Sequence, residues 1–219
     1  MWRRLFSELC PCCAGPTSGG YCRDCIGDCR TVADPCAGCG LPQPVGRCPR
    51  RIAGWAVDTV VAPYVYGSPL KERIHAFKFG GQRRLGRAMG LLAAQALAPR
   101  LAEVDALIAV PLHPSRLRER GYNQALEIAR SIARELDLRL LVRGVSRPRR
   151  TPAQTGLKAA DRERNLAQAF RVARRLAGRR VWIVDDVITT GATINSLARA
   201  LKTAGAASVG ALAVARTLD

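Results

Sequence analysis

Apolar and polar residues alternate in blocks from residue 53 onward, and the blocks predict strands and helices in turn. Residues 57–66 are rich in β-branched and aromatic side chains, which are typical of a strand. Short apolar runs predict further strands at 104–110, 138–142, 170–172, 181–184 and 208–215. Helical spacing predicts helices at 71–98 with a break at Gly80 and Gly81, at 123–136 and at 193–204. Because strands and helices alternate, we expect an α/β domain with a mostly parallel central sheet flanked by helices.

The first 52 residues have a different character. The nine cysteines lie between Cys10 and Cys48, among turn-forming glycines and prolines and without long apolar periodicity. Such a segment cannot build a core from its side chains alone, so it needs another source of stability, such as a bound metal ion. A chain of 219 residues has room for one ordinary domain and one small module. We therefore predict a Cys-rich module at 1–52 and the α/β domain at 53–219.

The charge of the chain favours polyanionic ligands. The formal net charge is +18 and comes mostly from arginine. A field of this sign attracts phosphates and pyrophosphates, and it also attracts nucleic acid without sequence preference. The N-terminus lacks the apolar stretch of a signal peptide, and the apolar runs fall short of the roughly 20 residues that span a bilayer. We expect a cytoplasmic protein without membrane insertion.

The cysteines form three Cys-x-x-Cys pairs, namely Cys10/Cys13, Cys22/Cys25 and Cys36/Cys39. Two intervening residues let a tight turn aim both thiolates at one ion, and two pairs complete a tetrahedral zinc site. A redox dithiol would instead need a single pair at the start of a helix in a βαβ context. Sequence order assigns Cys10, Cys13, Cys22 and Cys25 to one zinc site, which is structural because four protein ligands close it.

A second zinc site is less complete. Cys36, Cys39 and Cys48 supply three thiolates, but position 51 is arginine where a fourth pair would place a cysteine. Cys29 can serve as the fourth ligand, or the second site can be empty. Cys12 is most simply a spare thiol.

The strongest candidate ligand site follows the apolar run 181–184. Asp185 and Asp186 come directly after it, and the chain then turns into a helix through Thr189, Thr190, Gly191, Ala192 and Thr193. Amides at a helix N-terminus, with threonine hydroxyls, form a cradle for a phosphate. Adjacent carboxylates can accept hydrogen bonds from two vicinal ribose hydroxyls, which also makes them the candidate catalytic residues. The order of these groups predicts recognition of a 5-phosphorylated ribose.

Two other interpretations of this motif compete. An apolar strand ending in two aspartates also resembles the Mg²⁺-binding strand of P-loop ATPases, but the chain contains no Gly-x-x-x-x-Gly-Lys-Ser/Thr loop. A plain strand, turn and helix with solvated aspartates explains neither the paired acids nor the threonine and glycine cluster.

The segment 181–193 resembles the signature of the type I phosphoribosyltransferases, and the whole chain resembles the ComF family. Members of that family join a Cys-rich zinc-ribbon module to a phosphoribosyltransferase domain. The resemblance extends from the cysteine pairs through 70–81, 110–124, 151–154 and 162–165 to the signature. The departure is the fourth cysteine pair, which is reduced to Cys48.

The resemblance implies roles for two further segments. By position, the turn with Pro111, Leu112, His113, Ser115 and Arg116 resembles the loop that contacts pyrophosphate in type I enzymes; the alternative for His113 is a buried or capping histidine. The charged segment 143–166 has little periodicity and a length that compact domains seldom keep without a function. Within it, 147–165 resembles the flexible loop that closes over the substrate; the alternative is a basic surface that attracts nucleic acid. Its candidate contacts are Arg147, Arg149, Arg150, Gln154, Arg162 and Asn165.

Three functions remain open at this stage. The first is an enzyme that binds 5-phosphoribosyl-1-pyrophosphate with Mg²⁺ and transfers the pentose to an unidentified acceptor. The second is a non-catalytic protein that binds single-stranded DNA through its basic surface and works with DNA-uptake machinery, since the ComF family is associated with natural competence. The third is a regulator that senses the phosphosugar and signals through the zinc module.

Overall fold

A computed structural model of the chain describes residues 8–17, 20–43, 48, 54–148 and 169–218. Its strands are β1 (Glu8–Leu9), β2 (Pro16–Thr17), β3 (Thr59–Val61), β4 (Tyr64–Val65), β5 (Ala106–Ala109), β6 (Val145–Ser146), β7 (Arg171–Val172), β8 (Arg180–Ile188) and β9 (Ser208–Arg216). Its α-helices are α1 (Arg23–Gly27), α2 (Leu70–Phe79), α3 (Leu85–Leu97), α4 (Pro114–Arg120), α5 (Gln124–Glu135) and α6 (Ala192–Thr203). A 3₁₀ segment, Ala98–Glu103, follows α3.

The central sheet is parallel, as the sequence predicted. The strand order is β3-β9-β8-β5, and β4 pairs with β9 beyond β3. Along β8, alternate residues enter the hydrophobic clusters on opposite faces of the sheet: Trp182 and Val184 on one, Val181 and Ile183 on the other. Helices α2, α3 and α5 cover the first face and α6 covers the second, so both faces of the central strands are buried from solvent. The predicted α/β class is confirmed.

Close backbone approach fixes the centre of the sheet. Gly210 in β9 lies opposite Trp182 in β8, and a Cβ at Gly210 would overlap the indole ring. Trp182 also donates from Nε1 to the carbonyl oxygen of Glu103 at 3.2 Å, so its polar atom is satisfied. Glycine at this position lets the largest core side chain lie flat against the neighbouring strand.

Two strand predictions need correction. The predicted strand at 138–142 reduces to one bridge between Leu140 and Leu107, because this segment runs past the edge strand β5 without continuing the ladder. The predicted strand at 57–66 divides into β3 and β4 around Ala62 and Pro63. Proline has no N–H to donate to a sheet ladder, which explains the interruption.

Backbone hydrogen bonds connect the Cys-rich segment to the sheet. Val32 N–H donates to the Pro63 carbonyl at 2.9 Å, and Val65 N–H donates to the Arg30 carbonyl at 2.8 Å. Tyr21 and Cys25 are buried in the same cluster as residues of α2 and α3. The boundary predicted near residue 52 lies outside the described residues.

Across the ranges that the structure covers, the helices are too short or too polar to cross a lipid bilayer.

Candidate functional site

The paired carboxylates lie inside the central strand rather than after it. Strand β8 continues to pair with β9 through Asp185 and Val187 up to Ile188, beyond the predicted end at 184. The strand is longer because β9 supplies partners over its whole length. Asp185 and Asp186 therefore occupy a rigid part of the sheet at its carboxyl end, where open α/β sheets bind ligands.

The segment 189–193, called the phosphate loop after its predicted role, contains the turn that follows β8 and the first two residues of α6. Gly191 is the N-cap residue of α6 and has φ +81°, a left-handed conformation that suits glycine. A Cβ at this position would lie 2.7 Å from Cη2 of Trp55, so the indole covers the loop backbone. Thr190 Oγ1 accepts from the Ala192 N–H at 3.3 Å, and Thr193 faces the neighbouring cavity.

A cavity of about 150 Å³ opens beside the two aspartates. Its walls come from the carboxyl ends of β5 and β8, from α2 and α4, from the starts of α5 and α6, and from the residue that follows β6. The lining residues are Lys78, Val110, Leu112, Arg116, Arg120, Asn123, Gln124, Ala125, Arg147, Asp185, Asp186 and Thr193. The cationic side chains outnumber the carboxylates two to one in this lining, which suits a polyanionic ligand.

Lys78 is a site residue that sequence reasoning missed. Its Nζ lies 2.9 Å from Oδ1 of Asp186, and their side chains are only 20% and 10% exposed. Lys78 belongs to the last turn of α2, more than 100 residues away in the chain from its partner. Lys78 lies in the segment 70–81 that carries part of the family resemblance, but that segment does not identify Asp186 as its partner.

Asp185 has a perturbed acidity. Burial is the main cause, the negative charge of Asp186 adds to it, and together they raise the pKa of Asp185 to about 7. The positive charges of Lys78 and Arg147 act in the opposite direction, as does the N–H of Asp186, which donates to Asp185 Oδ1 at 2.9 Å. A carboxyl that titrates near neutrality inside a cationic cavity is typical of a functional site.

The turn after β5 supplies part of the cavity wall. Leu112 and Arg116 line the cavity. His113 is the N-cap residue of α4: its Nδ1 accepts from the Ser115 N–H at 3.2 Å and lies 2.7 Å from Ser115 Oγ. The structure thus gives His113 and Ser115 a capping role, and Pro111 precedes them in the turn. Direct contact of these residues with pyrophosphate stays a prediction.

Arg147 is the described member of the predicted flexible loop. It lines the cavity, and its guanidinium carbon lies 5.4 Å from the ring centroid of Phe170. Burial lowers the pKa of Arg147, the positive charge of Arg116 lowers it further, and Asp185 opposes both. The other predicted contacts lie outside the described residues: Arg149, Arg150, Gln154, Arg162 and Asn165.

The first cysteine cluster has the geometry of a metal site. The sulfur atoms of Cys10, Cys13, Cys22 and Cys25 lie within 4.8 Å of one another, and the Cys13 and Cys22 sulfurs are 3.6 Å apart. Tetrahedral zinc with Zn–S bonds of about 2.3 Å places its sulfurs roughly 3.8 Å apart, so this donor set fits zinc. Burial raises the pKa of Cys10, but hydrogen bonds from backbone N–H groups, that of Cys13 foremost, outweigh it and hold the value at about 6.

The second cysteine cluster contains three converging thiols. The sulfurs of Cys36, Cys39 and Cys48 also lie within 4.8 Å of one another. The structure does not bring Cys29 to this cluster. Its Sγ instead accepts from Arg73 Nη1 at 3.3 Å and donates to the Cys25 carbonyl, beside the first cluster. The reason is that Cys29 follows α1 closely, and α1 carries Cys25.

The fold and the cavity agree with the comparison to protein families. A family model described as "Phosphoribosyl transferase domain" matches residues 122–218, the part of the chain that carries α5, β8, the phosphate loop and β9. The chain therefore has a phosphoribosyltransferase-type domain.

Relatives that match most of the chain show which family within this class it belongs to. "DNA utilization protein YhgH" of Escherichia coli O6:H1 is 36% identical over 96% of this chain and 97% of its own length. "Competence protein F" of Haemophilus influenzae is 33% identical over 90% of this chain and 84% of its own, and "Competence protein ComFC" of Bacillus subtilis is 28% identical over 83% and 78%. The chain belongs to the ComF family, as its motifs predicted.

Proposed function

We propose that this protein binds 5-phosphoribosyl-1-pyrophosphate, with Mg²⁺, in the cavity beside Asp185 and Asp186. The observation that carries the proposal is the order of groups along one short segment. Asp185 and Asp186 lie in the last part of β8, and the chain reaches a glycine-initiated helix N-terminus at Gly191, five residues after Asp186. Asp185, Asp186 and Thr193 line a cavity that also contains four cationic side chains. A helix N-terminus favours a phosphate dianion, and carboxylates accept hydrogen bonds from ribose hydroxyls.

The cationic wall suits the other end of the ligand. Arg116, Arg120 and Arg147 line the same cavity and carry the charge that a diphosphate needs. Mg²⁺ takes hard oxygen ligands, which the diphosphate would supply, and it would neutralise charge when bound. The role of the chain is to orient the ribose through its carboxylates and to hold the diphosphate with arginines.

As an enzyme, the protein would transfer the pentose. The bond between C1 of the ribose and the diphosphate oxygen breaks, the electron pair leaves with the diphosphate, and a nucleophile of the acceptor forms the new bond to C1. The arginines stabilise the charge that develops on the leaving diphosphate. No covalent nucleophile from the chain is needed, because positioning and electrostatics suffice.

Calorimetry with phosphoribosyl pyrophosphate and Mg²⁺ tests this proposal. We expect saturable binding, weakened about 100-fold by the double change Asp185→Asn and Asp186→Asn, because two hydrogen bonds to charged acceptors become weaker bonds to neutral amides. Asp137→Asn is a matched control, since Asp137 is exposed and lies outside the cavity. Absence of binding at millimolar ligand would refute the proposal, and turnover with common bases would separate an enzyme from a sensor.

A second candidate function is binding of single-stranded DNA. The net charge of +18 favours it, and so do the names of the relatives, which refer to DNA utilization and competence. Binding through the basic surface would weaken steeply with salt and would survive the double aspartate change. Binding that is lost with the same two aspartates would instead place the strand in the phosphosugar cavity.

Zinc in the first cysteine cluster is part of the proposal. Four thiolates would close its coordination sphere, so its contribution is to the stability of the fold and not to the transfer step.

A further inference from the structure

Arg216 connects two parts of the molecule that are far apart in the chain. It ends β9 and is 2% exposed. Its Nε donates to the carbonyl oxygen of Cys39 at 3.1 Å, and its Nη1 donates to the carbonyl oxygen of Ile188 at 3.0 Å. Within the described ranges, no carboxylate lies at ion-pair distance from this guanidinium. A buried cation is therefore held by two carbonyl groups.

The first of these carbonyls belongs to the second cysteine cluster. Cys39 is 1% exposed, and its sulfur converges with those of Cys36 and Cys48. The next residue, Gly40, has φ +71°, and a Cβ there would lie 2.9 Å from Cγ1 of Val60 in β3. The backbone at Cys39 is thus packed tightly against the sheet, and a metal ion on the three thiolates would fix its remaining freedom.

The second carbonyl marks the start of the phosphate loop. Ile188 is the last residue of β8, and Thr189 follows it. Its oxygen accepts a second hydrogen bond from the Thr217 N–H at 3.1 Å, so both lone pairs have donors. The direction in which the chain leaves the sheet and enters the loop depends on these two hydrogen bonds.

We propose that Arg216 is a positioning residue that couples the metal occupancy of the Cys36–Cys39–Cys48 cluster to the conformation of the phosphate loop. A metal ion bound by the cluster holds the Cys39 carbonyl, and the guanidinium passes this constraint to the Ile188 carbonyl. Metal-bound thiolates also place negative charge near a buried cation that lacks a carboxylate partner among the described residues. Loss of the metal therefore loosens the loop.

Only arginine fits this role. The guanidinium is planar and presents donors in fixed, diverging directions, so one side chain can reach two carbonyls at once. Lysine keeps the charge but offers a compact ammonium that cannot span both oxygens. Arg216→Lys is consequently the variant that separates the connection from the charge.

Hydrogen–deuterium exchange of peptides that cover 188–193 tests the coupling without any ligand. Zinc-loaded wild type is compared with Cys48→Ser, Arg216→Lys and the double variant, and native mass spectrometry counts the metal ions in each. Cys48→Ser should lose one ion and speed exchange of these amides on the order of tenfold. Arg216→Lys should speed exchange to a similar extent and keep its metal. In the double variant, Cys48→Ser should add nothing further.

Cys13→Ser provides the matched control, because it removes a ligand of the first cluster, which has no described contact with Arg216. Its effect on loop exchange should be small, or additive with that of Arg216→Lys.

The proposal is overturned if wild type takes up no metal at the second cluster. It is also overturned if exchange is unchanged when that metal is lost, or if Arg216→Lys leaves the loop as protected as in wild type. Should Cys48→Ser fail to fold, removal of the second-cluster metal with a chelator replaces it, and this removal should speed loop exchange in wild type but add nothing in Arg216→Lys. Absence of phosphoribosyl pyrophosphate binding leaves this readout intact, so the two proposals fail separately.

Discussion

The ammonium of Lys78 lies 2.9 Å from the carboxylate of Asp186, so a residue of α2 is paired with the motif that was expected to hold the ribose. A ligand hydroxyl that bonds to Asp186 must share this carboxylate with Lys78 or displace it. Because Lys78 offsets the negative charge of Asp186, the ion pair reduces the net negative charge of the site that a phosphosugar would enter.

Replacing Lys78 with methionine should raise the pKa of Asp185 above its value of about 7. Burial and the charge of Asp186 raise the pKa of Asp185, and the positive charge of Lys78 lowers it. Without that positive charge, the pKa rises further. Carboxyl-carbon NMR titration measures the change. Lys71→Met, on the exposed side of the same helix, should leave the titration of Asp185 in place. An unchanged or lower pKa in Lys78→Met would contradict the prediction.

The stability of the unliganded protein should decline as pH rises towards 7. Asp185 titrates near 7 in the folded protein and at an ordinary value of 3.8 when unfolded, so the folded state holds its proton more tightly. The stabilisation is complete below the unfolded pKa and is lost as pH rises through the folded pKa. Urea unfolding from about pH 4 to about pH 8 should show the free energy of unfolding of wild type falling relative to that of Asp185→Asn up to about pH 7 and levelling off above it. Parallel pH profiles for the two proteins would refute this assignment.

Gly191→Ala should disturb the phosphate loop more than an equally strained glycine elsewhere. Alanine at φ +81° costs about 1–2 kcal/mol, and its Cβ would also press on the ring of Trp55 at 2.7 Å. Gly178 has φ +69° with no atom within 4 Å of a Cβ, so Gly178→Ala carries the strain without the contact. Thermal unfolding and intrinsic fluorescence should show the larger loss of stability and an altered Trp55 signal only in Gly191→Ala. Equal effects from both variants would show that Trp55 does not restrict the loop.

Cys25→Ser should cost more stability than Cys12→Ser. Cys25 is buried and contributes to the first cluster, whereas Cys12 is exposed and lies outside it. Loss of one thiolate from a closed structural site removes the metal and should lower the free energy of unfolding by more than about 4 kcal/mol. Metal analysis and urea unfolding of both variants measure this. Retention of a full metal complement by Cys25→Ser would be inconsistent with a four-thiolate site.

The sequence was informative wherever local pattern determines structure. The helix predicted at 123–136 forms as α5 with Asn123 as its N-cap, and the glycine break in 71–98 falls between α2 and α3. Within the first cluster, Cys10 converges with Cys13 and Cys22 with Cys25, because each Cys-x-x-Cys pair is a local turn. These features depend on residues that are neighbours in the chain.

Features that depend on distant pairing were not predictable in the same way. The length of β8 depends on β9, the position of Lys78 opposite Asp186 depends on how α2 docks, and Cys29 lies beside Arg73 because α1 packs against α2. The capping bond of His113 was available as an alternative from sequence, but choosing it required the direction of α4. In each case the contact depends on two segments that are distant in the chain, and the sequence of either segment alone does not show that they meet.

The way Tyr21 and Cys25 pack into the core of the sheet domain bears on how such a protein can be shortened. A truncated chain that begins after the cysteines would remove Tyr21 and Cys25 from the hydrophobic cluster that they share with α2 and α3, and would leave the N–H of Val65 without its acceptor at Arg30. Apolar surface that such a removal exposes promotes aggregation. A recombinant fragment made for ligand screening should therefore keep the Cys-rich segment, because its described residues around Tyr21 and Cys25 form part of the wall of the domain.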